Sequence, residues 1–352
     1  MWRLVRRYAL AFTALVATSA LTAAPPADTP RTQILFLGTS GGPPLLFERS
    51  KPSTLLIVDG RYYLIDCGIG TARRLVEAKI DSNRIQTVIL THLHADHDLG
   101  LADVMANDFF ERARGGVAEP VGIYGPPQTR ALVDAAFHFI SVGFRPFSSE
   151  NPGDYPKNGA GFVSPFVVHE IGRAGVVFKD DKISVTAVEN AHYALMPKRD
   201  RRAFKSYSYR VETPDGVIVF TGDTGPSEAV AQLARDADVL IAEASYLAPE
   251  QLDRLGALIA ARSHWAPART KAWRDHSLFE HLDPEQVGRL ASKADARAVI
   301  LYHYDPTNNA EQEAYVSGVK QSFKGAVFAP DDLDRYCLSS GAVTPCGSAR
   351  RR

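Results

Sequence analysis

Cysteine is scarce here: three residues in a chain of 352, too few for a disulfide-built scaffold. An excess of either charge is also missing. Lys and Arg together number 40, as do Asp and Glu, so the chain lacks the basic surplus that a dedicated nucleic-acid binder carries. It shows no internal repeat at a fixed period and no low-complexity tract, which sets aside solenoid and linker-like architectures. What is left, at 45% hydrophobic residues, is the composition of a globular protein with a sizeable core. At this length one large α/β domain is a reasonable reading.

The first two dozen residues depart from that picture. Arg3, Arg6 and Arg7 make a basic start, and Tyr8 to Ala24 is apolar apart from small Thr and Ser. Small residues for cleavage stand at Thr18 and Ala20 or at Leu21 and Ala23, and Pro25-Pro26 opens a polar linker. This is the pattern of a secretory signal. The apolar run is short and lacks the flank of an uncleaved anchor, and no Cys follows it to carry a lipid. The expectation is a periplasmic or secreted protein with no stable membrane anchor after cleavage. Cleavage removes three basic residues, leaving 37 Lys and Arg against 40 Asp and Glu. Cys67 ends an apolar strand and reads as a core thiol. Cys337 and Cys346 flank a short Ser/Gly/Pro loop, either as a disulfide suited to an oxidising compartment or as two free thiols.

Beyond the linker, apolar runs alternate with turn signals. Gln33–Gly38, Ser53–Asp59, Tyr62–Asp66, Ile85–Leu90, Val121–Gly125, Ile183–Val188, Tyr207–Thr213, Val217–Thr221, Val239–Glu243 and Ala298–Tyr302 read as strands. Helical patterns cover Thr71–Lys79, Leu101–Ala113, Gln128–Ile140, Ala229–Arg235 and Pro284–Lys293. Between about Ser141 and Gly175 no period is legible, as in a lid or substrate loop. Residues 250–280 hold a second insertion, where Arg262, His264, Trp265, Arg269, Lys271, Trp273 and Arg274 crowd together, and the chain beyond Arg335 reads as loosely structured.

The densest chemistry lies in THLHADHDLG, Thr91 to Gly100, which holds three of the ten histidines and two aspartates. Two histidines two residues apart on a loop can converge on one metal ion, and the Asp and His that follow can reach a second. Imidazole and carboxylate are the donors that Zn²⁺ and its borderline neighbours favour. His192, Asp223 and His303 each follow a predicted strand, where α/β folds place their chemistry. Singly, each is an ordinary strand-end residue; in this order they supply the rest of a two-metal site.

The runs FLGTSGGPP, LIDCGIGTARR, THLHADH, ENAHY, FTGDT, EASY, EHLDPEQVGRLA and VILYHY resemble the metallo-β-lactamase fold superfamily. Within it they are most similar to the ribonuclease Z-like branch, which also holds arylsulfatases and phosphodiesterases. The resemblance spans roughly Thr32 to Asp305, and its motifs speak to fold and metal centre far more than to substrate. It implies an αββα sandwich over residues 32–335, with insertions near 141–175 and 250–280. A signal peptide (1–24) and linker (25–31) precede that domain and a C-terminal tail (336–352) follows it.

The resemblance also implies two Zn²⁺ ions, with Mn²⁺ or Fe²⁺ as other candidates. His92, His94 and His192 would hold one, Asp96, His97 and His303 the other, and Asp223 would bridge them. Asp96, His281 and Glu243 would be the catalytic groups, His281 meeting the scissile group and Glu243 partnering it. The implied reaction is hydrolysis of phosphodiesters or related anionic esters by a hydroxide shared between the metals. β-Lactamase, lactonase and arylsulfatase activities are the alternatives, and a non-catalytic binding module ranks last because every ligand position is filled. Export and the slightly acidic balance speak for a small-molecule or anionic ester substrate and against nucleic acid. A homodimer is compatible with the sequence. Asp98 is expected to support the loop without ligating. His138, His169, His264 and His276 read as structural or surface residues. The run Lys198, Arg199, Arg201, Arg202 and Lys205 reads as a solvated loop or an aid to anion binding.

Overall fold

The computed structural model describes residues 30–42, 48–113, 119–151, 155, 157–158, 161–304 and 309–349. The expected leader and all but the end of the linker lie outside the described residues. The strands are β1 (Thr32–Gly38), β2 (Ser53–Val58), β3 (Arg61–Ile65), β4 (Ile85–Ile89), β5 (Val121–Gly125), β6 (Lys157–Asn158), β7 (Gly161–Phe162), β8 (Phe166–Glu170), β9 (Gly175–Lys179), β10 (Ser184–Glu189), β11 (Tyr207–Thr213), β12 (Gly216–Phe220), β13 (Val239–Glu243), β14 (Ala298–Tyr302), β15 (Ala326–Phe328), β16 (Asp334–Ser339) and β17 (Ala342–Ser348). The helices are α1 (Thr71–Glu77), α2 (Ala95–Asp98), α3 (Leu101–Ala113), α4 (Thr129–Glu150), α5 (Glu228–Leu233), α6 (Pro249–Ser263), α7 (Pro267–Glu280), α8 (Pro284–Lys293) and α9 (Asn309–Lys320).

Two sheets carry the fold. One runs β17-β16-β1-β2-β3-β4-β5-β8 and the other β15-β14-β13-β12-β11-β10-β9. Strands β12 to β15 are mutually parallel, and the runs VLIAE and AVILY are buried throughout, as parallel strands covered on both faces require. Ile34, Phe36, Leu56 and Val58 of the first sheet meet Val185, Val211, Phe220, Ile241 and Ile300 of the second in a shared core. The outer face of the first sheet packs on α1, α3 and α4 through Leu75, Val104, Phe109 and Val133. The outer face of the second packs on α8 and α9 through Val287, Ala291, Tyr315 and Val319. The result is the expected αββα sandwich. Between β2 and β3 the chain reverses at Asp59-Gly60, both at positive φ (48° and 80°), the backbone of the tight hairpin turn that suits twisted strands.

Three expectations need correction. The helix expected to stop at Ile140 runs on to Glu150 through Gly143 and Pro146. It is held by Phe144, whose ring packs 5.2 Å from that of Phe109, and tertiary packing outweighs the local breakers. Within the stretch read as irregular, residues 141–150 are thus the end of helix α4 and Phe166–Glu170 is strand β8. Residues 250–280 are a helical hairpin, α6 and α7. Three of its cations have partners: Arg274 pairs with Asp253, Lys271 with Asp275, and Arg269 lies over Trp265. No described helix is long and apolar enough to cross a membrane.

The chain beyond Arg335 is not loose. It forms β16 and β17, with β16 pairing against β1 (Ile34 opposite Tyr336). Tyr336 sets its ring edge-on to Phe36 at 5.9 Å. Cys337 and Cys346, nine residues apart, are disulfide-bonded across this hairpin. A bridge closing so short a loop contributes about 2–3 kcal/mol by restricting the unfolded chain. The double variant Cys337→Ser/Cys346→Ser should therefore show a lower urea midpoint. An unchanged midpoint would mean that the strand ladder alone holds the hairpin.

Candidate metal centre

The site forms where strands end. Past β4 the chain places His92, His94 and then Asp96 and His97 on the first turn of α2. His192 follows β10, Asp223 follows β12, Glu243 closes β13 and His303 follows β14. Local backbone aims these groups. Gly222, before Asp223, sits at φ 58° with the carbonyl of Tyr207 where a side chain would go. His303 itself adopts φ 52°, a conformation that costs a β-carbon-bearing residue energy and is held by its surroundings.

Two groups of side chains result. His92, His94 and His192 form the first; Asp96, His97, Asp223 and His303 form the second; within each, the donor atoms lie within 4.8 Å of one another. Asp223 stands between them. Its Oδ2 is 3.8 Å from His92 Nε2, 3.3 Å from His97 Nε2 and 3.0 Å from His303 Nε2. In the first group His192 Nε2 is 3.0 Å from His94 Nδ1; in the second Asp96 Oδ2 is 3.3 Å from His303 Nε2. The structure thus brings together all seven residues expected as ligands.

These residues fit a bound cation. His92 Nε2, His97 Nε2 and Asp223 Oδ1 are buried and make no hydrogen bond among the described residues, and such groups are costly to bury unless something satisfies them. The opposite nitrogens are engaged. Asp66 Oδ2 lies 2.8 Å from His97 Nδ1 and Asp66 Oδ1 accepts the Thr91 N–H. The carbonyl of Glu280 lies 3.0 Å from His192 Nδ1, and Ser245 Oγ lies 2.9 Å from His303 Nδ1. A carboxylate or carbonyl at Nδ1 puts the hydrogen there and leaves the Nε2 lone pair facing the centre.

Burial, then the neighbouring imidazoles, push His92 and His192 well below the usual histidine range. Burial also lowers His94 to about 4. Such rings are neutral at pH 7, the form that ligates. Burial alone would also lower His97 and His303, but the carboxylates around them, Asp223 foremost with Asp96 and, for His97, Asp66, together outweigh it and raise both well above the usual value. A cation entering the second group therefore displaces protons, and its binding weakens as pH falls. Asp66→Asn, which removes the charge behind His97, should weaken metal binding there by roughly 10- to 100-fold. Titration against a competing chelator measures this, and unchanged affinity would sink that role for Asp66.

Beside the second group, Glu243 Oε2 lies 2.8 Å from His281 Nδ1, and Ser245 Oγ touches both residues. Burial lowers His281, but Glu243 more than offsets it and the net shift is upward. His281 ends α7 and does not head the next helix, which starts at Pro284 behind the capping residue Asp283. Asp98 is buried on α2 outside both donor groups; burial raises it to about 6.

His138 and His169 are exposed, and His264 is the exposed cap of α6. His276 departs from the expectation, because its Nε2 lies 3.3 Å from His281 Nε2. The signal that could have exposed it is the spacing His276–Glu280, one helical turn apart and directly before His281. Asp66 stood within a quoted motif without a role. Arg201 donates to the carbonyls of Ala194 and Met196, and Lys205 pairs with Glu189, so part of the basic run serves its own loop.

Residues 61–304 match the family described as the beta-lactamase superfamily domain, and this chain belongs to that superfamily. Ribonuclease Z from Mycobacterium sp. (strain KMS) is 28% identical over 325 residues, covering 90% of this chain and 99% of that protein. Ribonuclease Z from Methanosarcina acetivorans is 26% identical over 324 residues, covering 86% and 97%. Among solved structures, the metallo-beta-lactamase fold protein YhfI from Bacillus subtilis superposes with a TM-score of 0.60 at 16% identity, covering 86% of this chain and 98% of its own. The short form of human tRNase Z gives 0.57 at 21%, covering 87% and 99%; these two likenesses speak to fold. The chain is accordingly a metal-dependent hydrolase of the metallo-β-lactamase fold, ribonuclease Z-like in sequence along most of its length.

Proposed function

We propose that the chain is an exported dinuclear zinc hydrolase that cleaves phosphodiesters or related anionic esters. The observation that carries this reading is the position of Asp223, whose Oδ2 is within 4 Å of imidazole nitrogens from both donor groups. Divalent cations supply Lewis acidity and a nucleophile available at neutral pH, and a donor set of imidazole and carboxylate suits Zn²⁺, with Mn²⁺ and Fe²⁺ as competitors. His92, His94 and His192 would hold one ion, and Asp96, His97 and His303 the other, with Asp223 serving both.

The chain's own groups do the rest. Glu243 holds the His281 ring by its Nδ1–H and favours its charged form, so that Nε2 can donate to an oxygen of the substrate or its leaving group. Asp96 both ligates and, with Asp223, sets the negative field that keeps His303 in place.

Export is supported by the leader pattern in the sequence and by the Cys337–Cys346 disulfide, a bond that persists in oxidising compartments. An exported chain of slightly acidic balance does not meet precursor RNA, so the substrate class named for the relatives is set aside in favour of smaller anionic esters.

The test is a panel of substrates offered to the zinc-loaded chain: bis-p-nitrophenyl phosphate, an aryl sulfate, a lactone, a chromogenic cephalosporin and a precursor transfer RNA. Turnover of the phosphodiester is expected. Cleavage of the cephalosporin or the RNA alone would overturn the reading.

A further inference from the structure

His276 belongs to neither donor group, yet the structure builds it into the same imidazole cluster. It stands one helical turn before Glu280 on α7, so the two side chains share a helix face. Its Nδ1 lies 2.6 Å from Glu280 Oε2 and its Nε2 lies 3.3 Å from His281 Nε2. On the far side, His281 Nδ1 meets Glu243 Oε2 at 2.8 Å. The four groups form one line, carboxylate–imidazole–imidazole–carboxylate. It runs from the fully buried Glu243 out to His276, whose side chain is 37% exposed.

Glu280 is itself fixed. Its Oε1 accepts the Leu195 N–H at 2.7 Å and its carbonyl meets His192 Nδ1, which ties the end of α7 to the loop carrying a ligand of the first group. The His276 ring is thereby held 5.6 Å from the His192 ring and 6.3 Å from the His94 ring.

The hydrogens follow from the partners. A carboxylate only accepts, so each Nδ1 carries a hydrogen. Two bare lone pairs facing each other at 3.3 Å would repel, so at least one Nε2 is also protonated. A negatively charged oxygen seated against the two Nε2 atoms can accept the Nε2–H in place of the long N···N contact, a charge-assisted bond about twice as strong as a neutral one.

We infer that His276 and His281 form a two-imidazole clamp for an anionic oxygen of the substrate, with His276 a binding residue that sets where that oxygen lies relative to the metal groups. The clamp rests on the anionic-ester reading above for the class of substrate.

The experiment uses the full zinc-loaded chain, with inorganic phosphate binding followed by calorimetry and bis-p-nitrophenyl phosphate hydrolysis followed in parallel. His276→Ala is expected to weaken phosphate binding by roughly tenfold or more and to raise KM by a similar factor. The expected change in kcat is smaller, and bound zinc and Tm stay the same. His276→Gln, whose amide can donate from the same position, recovers part of the loss. Unchanged phosphate affinity and KM in His276→Ala would overturn the clamp. So would loss of bound zinc, because His276 would then only support the metal groups. If the parent chain hydrolyses no anionic ester but binds phosphate in a His276-dependent way, the clamp stands and the anionic-ester reading falls.

Discussion

Asp223→Ala is expected to lower hydrolysis by at least about a thousandfold and to cost the chain one of the two ions proposed for the centre. The reason is the place of one oxygen. Asp223 Oδ2 lies near His92, His97 and His303 at once, and its partner Oδ1 is buried without a hydrogen bond among the described residues. Removing the carboxylate takes a donor from both groups together. It also removes the main charge that raises His97 and His303. Asp223→Asn separates the two contributions, since it keeps the shape and one oxygen but not the charge. An intermediate loss is expected for Asn, read as metal per chain by elemental analysis alongside turnover. Normal turnover in Asp223→Ala would remove the two-metal account altogether.

His281→Ala should lower kcat by about 10²- to 10⁴-fold, the range for loss of a positioned proton donor, while both metals stay bound. His281 is 7% exposed, with one nitrogen on Glu243 and the other facing His276. Its Nδ1 is thus committed to Glu243, and Nε2 is the nitrogen left to meet a substrate. The deficit should be larger for a phenyl or alkyl leaving group than for p-nitrophenolate, which departs without needing a proton. Glu243→Gln should give a smaller deficit of the same kind, because Ser245 remains beside the ring. An equal deficit for good and poor leaving groups would take the proton-donor role away from His281.

Much of this centre was legible in the sequence because its residues sit at the ends of strongly apolar strands. VIVF, VLIAE and AVILY announce apolar strands, and Asp223, Glu243 and His303, at or just past their ends, could be placed from pattern alone. The His-x-His-x-Asp-His spacing carried the rest. Residues whose meaning depends on a distant partner were not legible. Asp66 is 31 residues from the His97 it orients and Ser245 is 58 from His303. His276 gains its role only when α7 folds back to the site, and its neighbourhood reads as an insertion crowded with basic and aromatic residues.

The misread elements fail for the same physical reason. Gly143 and Pro146 look like breakers until Phe144 is packed on Phe109. The sparse apolar pattern of residues 334–348 becomes a hairpin only against β1, some 300 residues earlier. Non-local pairing of this kind leaves little trace in local composition.

The central claim is that two ions share Asp223 and that hydrolysis requires both. The most direct measurement titrates the metal-free chain with Zn²⁺ while reading bound metal and bis-p-nitrophenyl phosphate turnover on the same samples. Saturation at two ions per chain, with turnover appearing as the second binds, is the predicted result. Saturation at one ion with full turnover, or turnover in the metal-free chain, would contradict it.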